Sequence, residues 1–136
     1  MNIKKSDDYN RSPKGEIVLK TLAMPANTNA NGNIFGGWIM SQMDIGGAIL
    51  AKEIAEGPVA TVRVDNMIFL RSISIGDIVT CYANCIKIGI SSITVYVEIW
   101  IKKVFFRKIG QFYCAAEGIF IYVAIDKNGK SRAIFF

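Results

Sequence analysis

From Ile93 to Lys102 the chain alternates without a break: Ile93, Val95, Val97, Ile99 and Ile101 fall on one face, and Thr94, Tyr96, Glu98, Trp100 and Lys102 on the other. A strict period of two over this length rules out a helix and fixes a strand with one face in a core. The same period runs on either side. Val59 to Leu70 and Asp77 to Ile90 precede it, separated by an Ile75-Gly76-Asp77 turn, and Phe112 to Ile125 follows, closed by Asp126-Lys127-Asn128-Gly129-Lys130. Long strands joined by short turns pair antiparallel, because a parallel return needs a crossover of about a dozen residues or more.

Only one segment departs from this pattern. Trp38 to Ala55 reads as a helix that ends at Gly57-Pro58, and its apolar residues surround most of its circumference, so it is expected to be buried on most sides. Before it, Ile17, Leu19 and Thr21 alternate with Val18, Lys20 and Leu22 in a short strand that stops at Met24-Pro25, and Pro25 to Gly37 is a long loop of turn-forming residues. The expected class is therefore α+β: one helix against a mainly antiparallel sheet. At 136 residues one domain fits, taken as residues 16–136, with 1–15 a flexible N-terminal arm.

Composition narrows the chemistry. The chain has no histidine, which removes Ser-His-Asp and Cys-His catalysis and His-ligated zinc. Cys81, Cys85 and Cys114 show no Cys-x-x-Cys spacing, so neither a disulfide framework nor a metal site is expected, and a reducing cytoplasm is the simplest location. Sixteen basic and eleven acidic residues give a net charge of +5, which favours an anionic partner. Lys102-Lys103 and Arg107-Lys108 around Phe105-Phe106 make one basic turn rather than a groove that tracks nucleic acid, and Phe135-Phe136 is too little for a membrane anchor.

Between Thr21 and Ala51 the only charged side chain is Asp44, placed in the helix. Burying a carboxylate is costly unless donors surround it, so Asp44 is either a structural acceptor or a reactive group. Gly36-Gly37 precedes the helix, where main-chain N–H groups lack helical partners and no side chain would keep a carbonyl oxygen away. Asn27, Asn29, Asn31 and Asn33 crowd the loop before it, as turn formers or as neutral amides that orient a water or a carbonyl.

The stretch Asn29-Ala30-Asn31-Gly32-Asn33-Ile34-Phe35-Gly36-Gly37-Trp38, followed by Ser41-Gln42-Met43-Asp44 and Gly46-Gly47, resembles the active-site segment of the bacterial YciA-type acyl-CoA thioesterases. The likeness continues through Val62-Arg63-Val64, Phe69-Leu70-Arg71, Val97-Glu98-Ile99-Trp100 and Tyr122-Val123-Ala124, covering the chain from about Thr21 to Arg132. It implies the hotdog fold, a long central helix wrapped by a five- to six-stranded sheet. It also implies hydrolysis of acyl-CoA to coenzyme A and a carboxylic acid, with no cofactor beyond the substrate.

By the same resemblance Asp44 is the catalytic carboxylate, as general base or nucleophile. Gly36 and Gly37 supply amides that polarise the carbonyl, and Asn29 faces Asp44 across a homodimer interface, with a trimer of dimers common in the family. The chain departs from the family pattern at Asn33, where aspartate is usual, and in the bulky basic hairpin Val104-Phe105-Phe106-Arg107-Lys108. The alternative is a non-catalytic acyl-CoA-binding module of the same fold.

The missing histidine agrees with that chemistry. A thioester expels a thiolate whose parent pKa is roughly 8.5, close to that of cysteine, so the leaving group needs little protonation. One base or nucleophile and a polarised carbonyl suffice. Coenzyme A phosphates give the positive charge a partner, with Arg71 and the turn residues Ser91 and Ser92 as candidate substrate contacts among several basic side chains.

Overall fold

The structure, a computed structural model, describes residues 11–106 and 108–134. The elements run β1 (Glu16–Leu22), α1 (Gly36–Ala55), β2 (Val59–Phe69), β3 (Ile78–Ile88), β4 (Ser92–Phe105) and β5 (Lys108–Ala124), with a single 3-10 turn at Pro25–Asn27. The strands form one five-stranded sheet in the order β1-β3-β4-β5-β2, and every pair is antiparallel. The alternating segment becomes the central strand. Ile93, Val95, Val97, Ile99 and Ile101 are completely buried on its inner face, where α1 lies across all five strands. No helix among the described residues is long and apolar enough to cross a membrane.

α1 buries Ile39, Met43, Gly46, Gly47, Ala51 and Ala55, a single face at helical spacing. Burial on most sides was expected and does not hold within one chain: Ile45 is 48% exposed and Ile49 36%. A helix lying on a sheet covers one face only. The uncovered side, with Lys52, Pro58 and Val59, borders an open, largely apolar groove of about 360 Å³. The helix also begins two residues earlier than the sequence reading placed it, at Gly36 rather than Trp38. Glycine composition mimics a loop, but first-turn residues need only helical dihedrals and make no helical N–H bond of their own.

Gly46 and Gly47 serve the packing in different ways. A Cβ on Gly46 would lie 2.5 Å from Cys81 Sγ and 2.9 Å from a Val18 methyl, so glycine lets α1 settle onto β1 and β3. At the other end of α1, Glu56 takes the left-handed conformation (φ 54°) and turns the chain into β2. The β4–β5 hairpin extends further than the period alone indicated, with Phe105 opposite Lys108 in the register. β1 and β2 are the two sheet edges, and β2 leaves Val62 57% exposed beside its unpaired side.

The first ten residues of the arm lie outside the described residues. At its end, Arg11 and Lys14 bond to the outer face of the sheet. Arg11 Nη2 donates to Glu98 Oε2 (2.7 Å), Glu117 Oε2 (2.9 Å) and Tyr96 Oη (3.0 Å), and the Lys14 amide donates to Glu98 Oε1 (2.9 Å). Glu98 is fully buried and also accepts from Trp100 Nε1 and Tyr96 Oη. Burial pushes its carboxyl up, but these donors, led by Arg11, outweigh it and hold the group below its ordinary value.

Candidate active site

Residues 25 to 35 carry the chain from β1 to the helix start through a loop that bonds to itself. The Asn29 side-chain oxygen accepts from the amides of Asn31 (2.8 Å) and Asn33 (3.2 Å), and the Asn29 amide donates to the Asn33 carbonyl (2.6 Å). The Phe35 amide donates to the Asn27 carbonyl at 2.9 Å, which sets the chain at the angle where α1 begins. The first helical bond of α1 is Ile39 N–H to the Phe35 carbonyl, so the amides of Gly36, Gly37 and Trp38 have no acceptor within the helix. Gly36 is packed against the Phe69 ring, whereas a Cβ on Gly37 would meet nothing within 4 Å. Gly37 therefore stands at an open surface with the positive end of the helix dipole behind it.

Two turns along, Asp44 is half-buried rather than enclosed, facing a cleft of about 170 Å³ lined by Gly37, Met40, Ser41, Thr61, Val64 and Phe120. The expectation of a buried carboxylate is corrected here, and the reason is the uncovered side of α1. Thr61 Oγ1 donates to Asp44 Oδ1 at 2.7 Å, and Tyr122 Oη lies 3.1 Å from the same oxygen and 2.9 Å from the Asp44 main-chain oxygen. Thr61 and Tyr122 are direct partners in the β2–β5 register, so two paired strands present their hydroxyls to one oxygen. Burial, and then the Asp44 charge, push the Tyr122 phenol well above the ordinary tyrosine value and keep it a donor.

The structure thus brings Gly37 and Asp44 to one cleft, with Gly36 at its rim under Phe69. Within one chain it does not bring Asn29 to Asp44: the Asn29 oxygen is used by its own loop, and its NH₂ group is what remains to donate outward. Arg71 lies with its guanidinium 4.0 Å from the centre of the Tyr113 ring, and its amide bonds to the Ala115 carbonyl. Ser91 and Ser92 form the β3–β4 turn, where the Ser91 carbonyl accepts from Ala124 and the Ser92 carbonyl from Gly89. Ser92 pairs with Val123, eight positions along β5 from Ala115, a separation of ~26 Å at strand rise.

The sequence reading did not single out Thr61 or Tyr122 as site residues. For Tyr122 a signal existed: it follows Phe120 on the inward phase of β5, and a phenol aimed into a core must find a partner there. Thr61 gave none, since its role depends on a register that local pattern does not specify. Among the described residues, no group of three or more Asp, Glu, Cys or His side chains could hold a metal ion.

A helix start with open amides and a carboxylate facing one cleft, in a chain without histidine, is an arrangement suited to hydrolysis of activated acyl groups. Comparison with known proteins agrees. A family model described as the thioesterase superfamily matches residues 31–104. The acyl-CoA thioester hydrolase YciA of Salmonella typhimurium is 63% identical over 123 residues, covering 90% of this chain and 92% of that protein. A hexameric thioesterase from Yersinia pestis superposes with a TM-score of 0.87 at 62% identity, covering 92% of this chain and 99% of that one. A hexameric broad-specificity acyl-coenzyme A thioesterase, solved as an Asp-to-Ala mutant, gives a TM-score of 0.87 at 59% identity over 90% of this chain and 88% of that one. The chain belongs to the hotdog-fold acyl-CoA thioester hydrolases, alongside YciA.

Proposed function

We propose that this protein hydrolyses acyl-CoA thioesters, releasing coenzyme A and a carboxylic acid, with residues 16–136 as its one catalytic domain. The observation that carries the reading is the pairing of Asp44 with an open helix start at Gly37 in a single cleft. The thioester oxygen accepts hydrogen bonds from the amides at Gly36 and Gly37, where negative charge collects as the carbonyl carbon becomes tetrahedral. Asp44 either takes the proton from an attacking water or attacks the carbon itself; both routes end with the thiolate leaving and the acid released. Water is the only other reactant, and no cofactor is needed.

A 170 Å³ cleft is smaller than sites that hold ligands of this size, which run to roughly 300–1,000 Å³. The reading therefore includes a second copy. Ile45 and Ile49 on α1 and Val62 on the open edge of β2 are exposed apolar side chains, and covering them across a two-fold axis removes an exposed edge. The partner's loop then supplies Asn29 as a donor facing Asp44, and three such dimers make the hexamer seen in relatives. Arg71 and the Ser91-Ser92 turn are the proposed contacts for the nucleotide end of coenzyme A. Their ~26 Å separation along β5 puts both on one ligand only if different copies supply them.

The test is thiol release from a panel of acyl-CoAs, followed with a chromogenic thiol reagent. Turnover on at least one chain length is expected. Binding of acyl-CoA without any release of thiol would instead make the protein an acyl-CoA-binding module.

A further inference from the structure

Asp44 sits beside a tyrosine that α1 is shaped to admit. Tyr122 is fully buried on β5, and a Cβ on Gly47 would lie 2.3 Å from its hydroxyl oxygen and 3.1 Å from the ring carbon that bears it. The three atoms nearest to that position all belong to Tyr122. Glycine is unfavourable in a helix interior compared with alanine, and what it secures here is passage for one hydroxyl group.

That hydroxyl has one proton and two acceptors within reach, the Asp44 main-chain oxygen at 2.9 Å and Oδ1 at 3.1 Å. The main-chain oxygen sits within α1, where a helical bond already uses it, whereas a bond to an ionised oxygen is the stronger of the two. Thr61 donates to the same Oδ1 at 2.7 Å, and among the described residues no donor reaches Oδ2. Two hydroxyls on one oxygen hold the carboxylate in one rotamer and leave the other oxygen to the reaction.

We propose that Tyr122, admitted by Gly47, is a positioning residue for thioester hydrolysis: its hydroxyl fixes the Asp44 carboxylate so that Oδ2 meets the water or the acyl carbon. The inference rests on the reading of Asp44 as the reacting carboxylate. It separates the two helix glycines, because Gly46 makes room for packing and Gly47 makes room for a site hydrogen bond.

Tyr122→Phe keeps the ring and removes the hydroxyl. With an acyl-CoA that the native protein hydrolyses, kcat should fall about tenfold while KM stays within about twofold, as expected when orientation rather than binding is lost. In an Asp44→Asn background the same change should alter the residual turnover by less than about twofold, since the group it positions is already gone. Gly47→Ala, which retains the hydroxyl but displaces it, should lower kcat to a similar level, and Gly47→Ala with Tyr122→Phe should be no worse than either alone. Native kcat in Tyr122→Phe or Gly47→Ala, or an equal loss with and without Asp44, would show that the hydroxyl only ties helix to sheet. If Asp44→Asn is inactive while Tyr122→Phe is native, this inference alone fails; native turnover in Asp44→Asn overturns the reading of Asp44 and this inference with it.

Discussion

Glu98 has no solvent exposure, and its effect on stability follows from what surrounds it. Arg11, the Lys14 amide, Trp100 and Tyr96 all donate to its carboxylate, so its folded-state pKa lies below its unfolded value despite the opposing effect of burial. A carboxyl depressed on folding adds stability above the unfolded pKa of about 4.3, and that stability is lost as pH falls through the lower folded value. Arg11→Leu leaves Glu98 and Glu117 without their shared cation. Urea unfolding at pH 7 should show a loss of about 2 kcal/mol, and the gap to the native protein should shrink as pH falls through the depressed folded-state value of Glu98, where that carboxyl protonates. An equal gap at pH 7 and pH 3 would mean that packing of the arm, not the ion pairs, is what was lost. Sequence pattern put Glu98 on the outer face of a strand, where a carboxylate is normally solvated; nothing local announced that a residue 87 positions earlier covers it.

At the level of elements, the strands were legible from a period of two, carried furthest by β4, whose inner face is fully buried. Their limits moved by a few positions at turns, where pattern stops. α1 was legible in its body but not at its start, because Gly36-Gly37 reads as loop although it forms the first turn. Its faces were misjudged for a different reason: Ile45 and Ile49 are apolar like the core positions, and apolar pattern alone does not separate the side that meets the sheet from the side the sheet leaves uncovered. The end of α1 carries a testable cost. Glu56 is an exposed non-glycine residue in the left-handed region, which is unfavourable by roughly 1 kcal/mol. Glu56→Gly should therefore raise stability by ~0.5–1 kcal/mol in urea unfolding, with the greater freedom of glycine in the unfolded chain limiting the gain. A destabilised Glu56→Gly would show that the side chain contributes more than its backbone costs.

For the whole molecule, the absence of histidine is the organising fact. Chemistry without a neutral-pH general acid suits a substrate whose leaving group departs as a thiolate, and in the proposed mechanism amides at a helix start and a carboxylate facing the same cleft meet that substrate's two needs. Asp44 and Gly36-Gly37 could be picked out from the sequence, as the lone charge of an otherwise neutral stretch and as the glycine pair at the start of its helix. Thr61 could not, since it reaches Asp44 through strand register, and Tyr122 only by its place on the inward phase of β5. The Asn29 side-chain oxygen is used within its own loop, and the part proposed for this residue in the site depends on assembly. Subunit mixing tests the account most directly. Asp44→Asn and Asn29→Ala chains, co-expressed with different tags and purified through both, form dimers in which one site carries both defects and the other carries neither. Each variant alone should lose at least about a hundredfold in thiol release, and the mixed protein should recover about a quarter to a half of native turnover. Mixed protein no more active than its parents, or a fully active Asp44→Asn protein, would contradict a site built from Asp44 of one chain and Asn29 of the next.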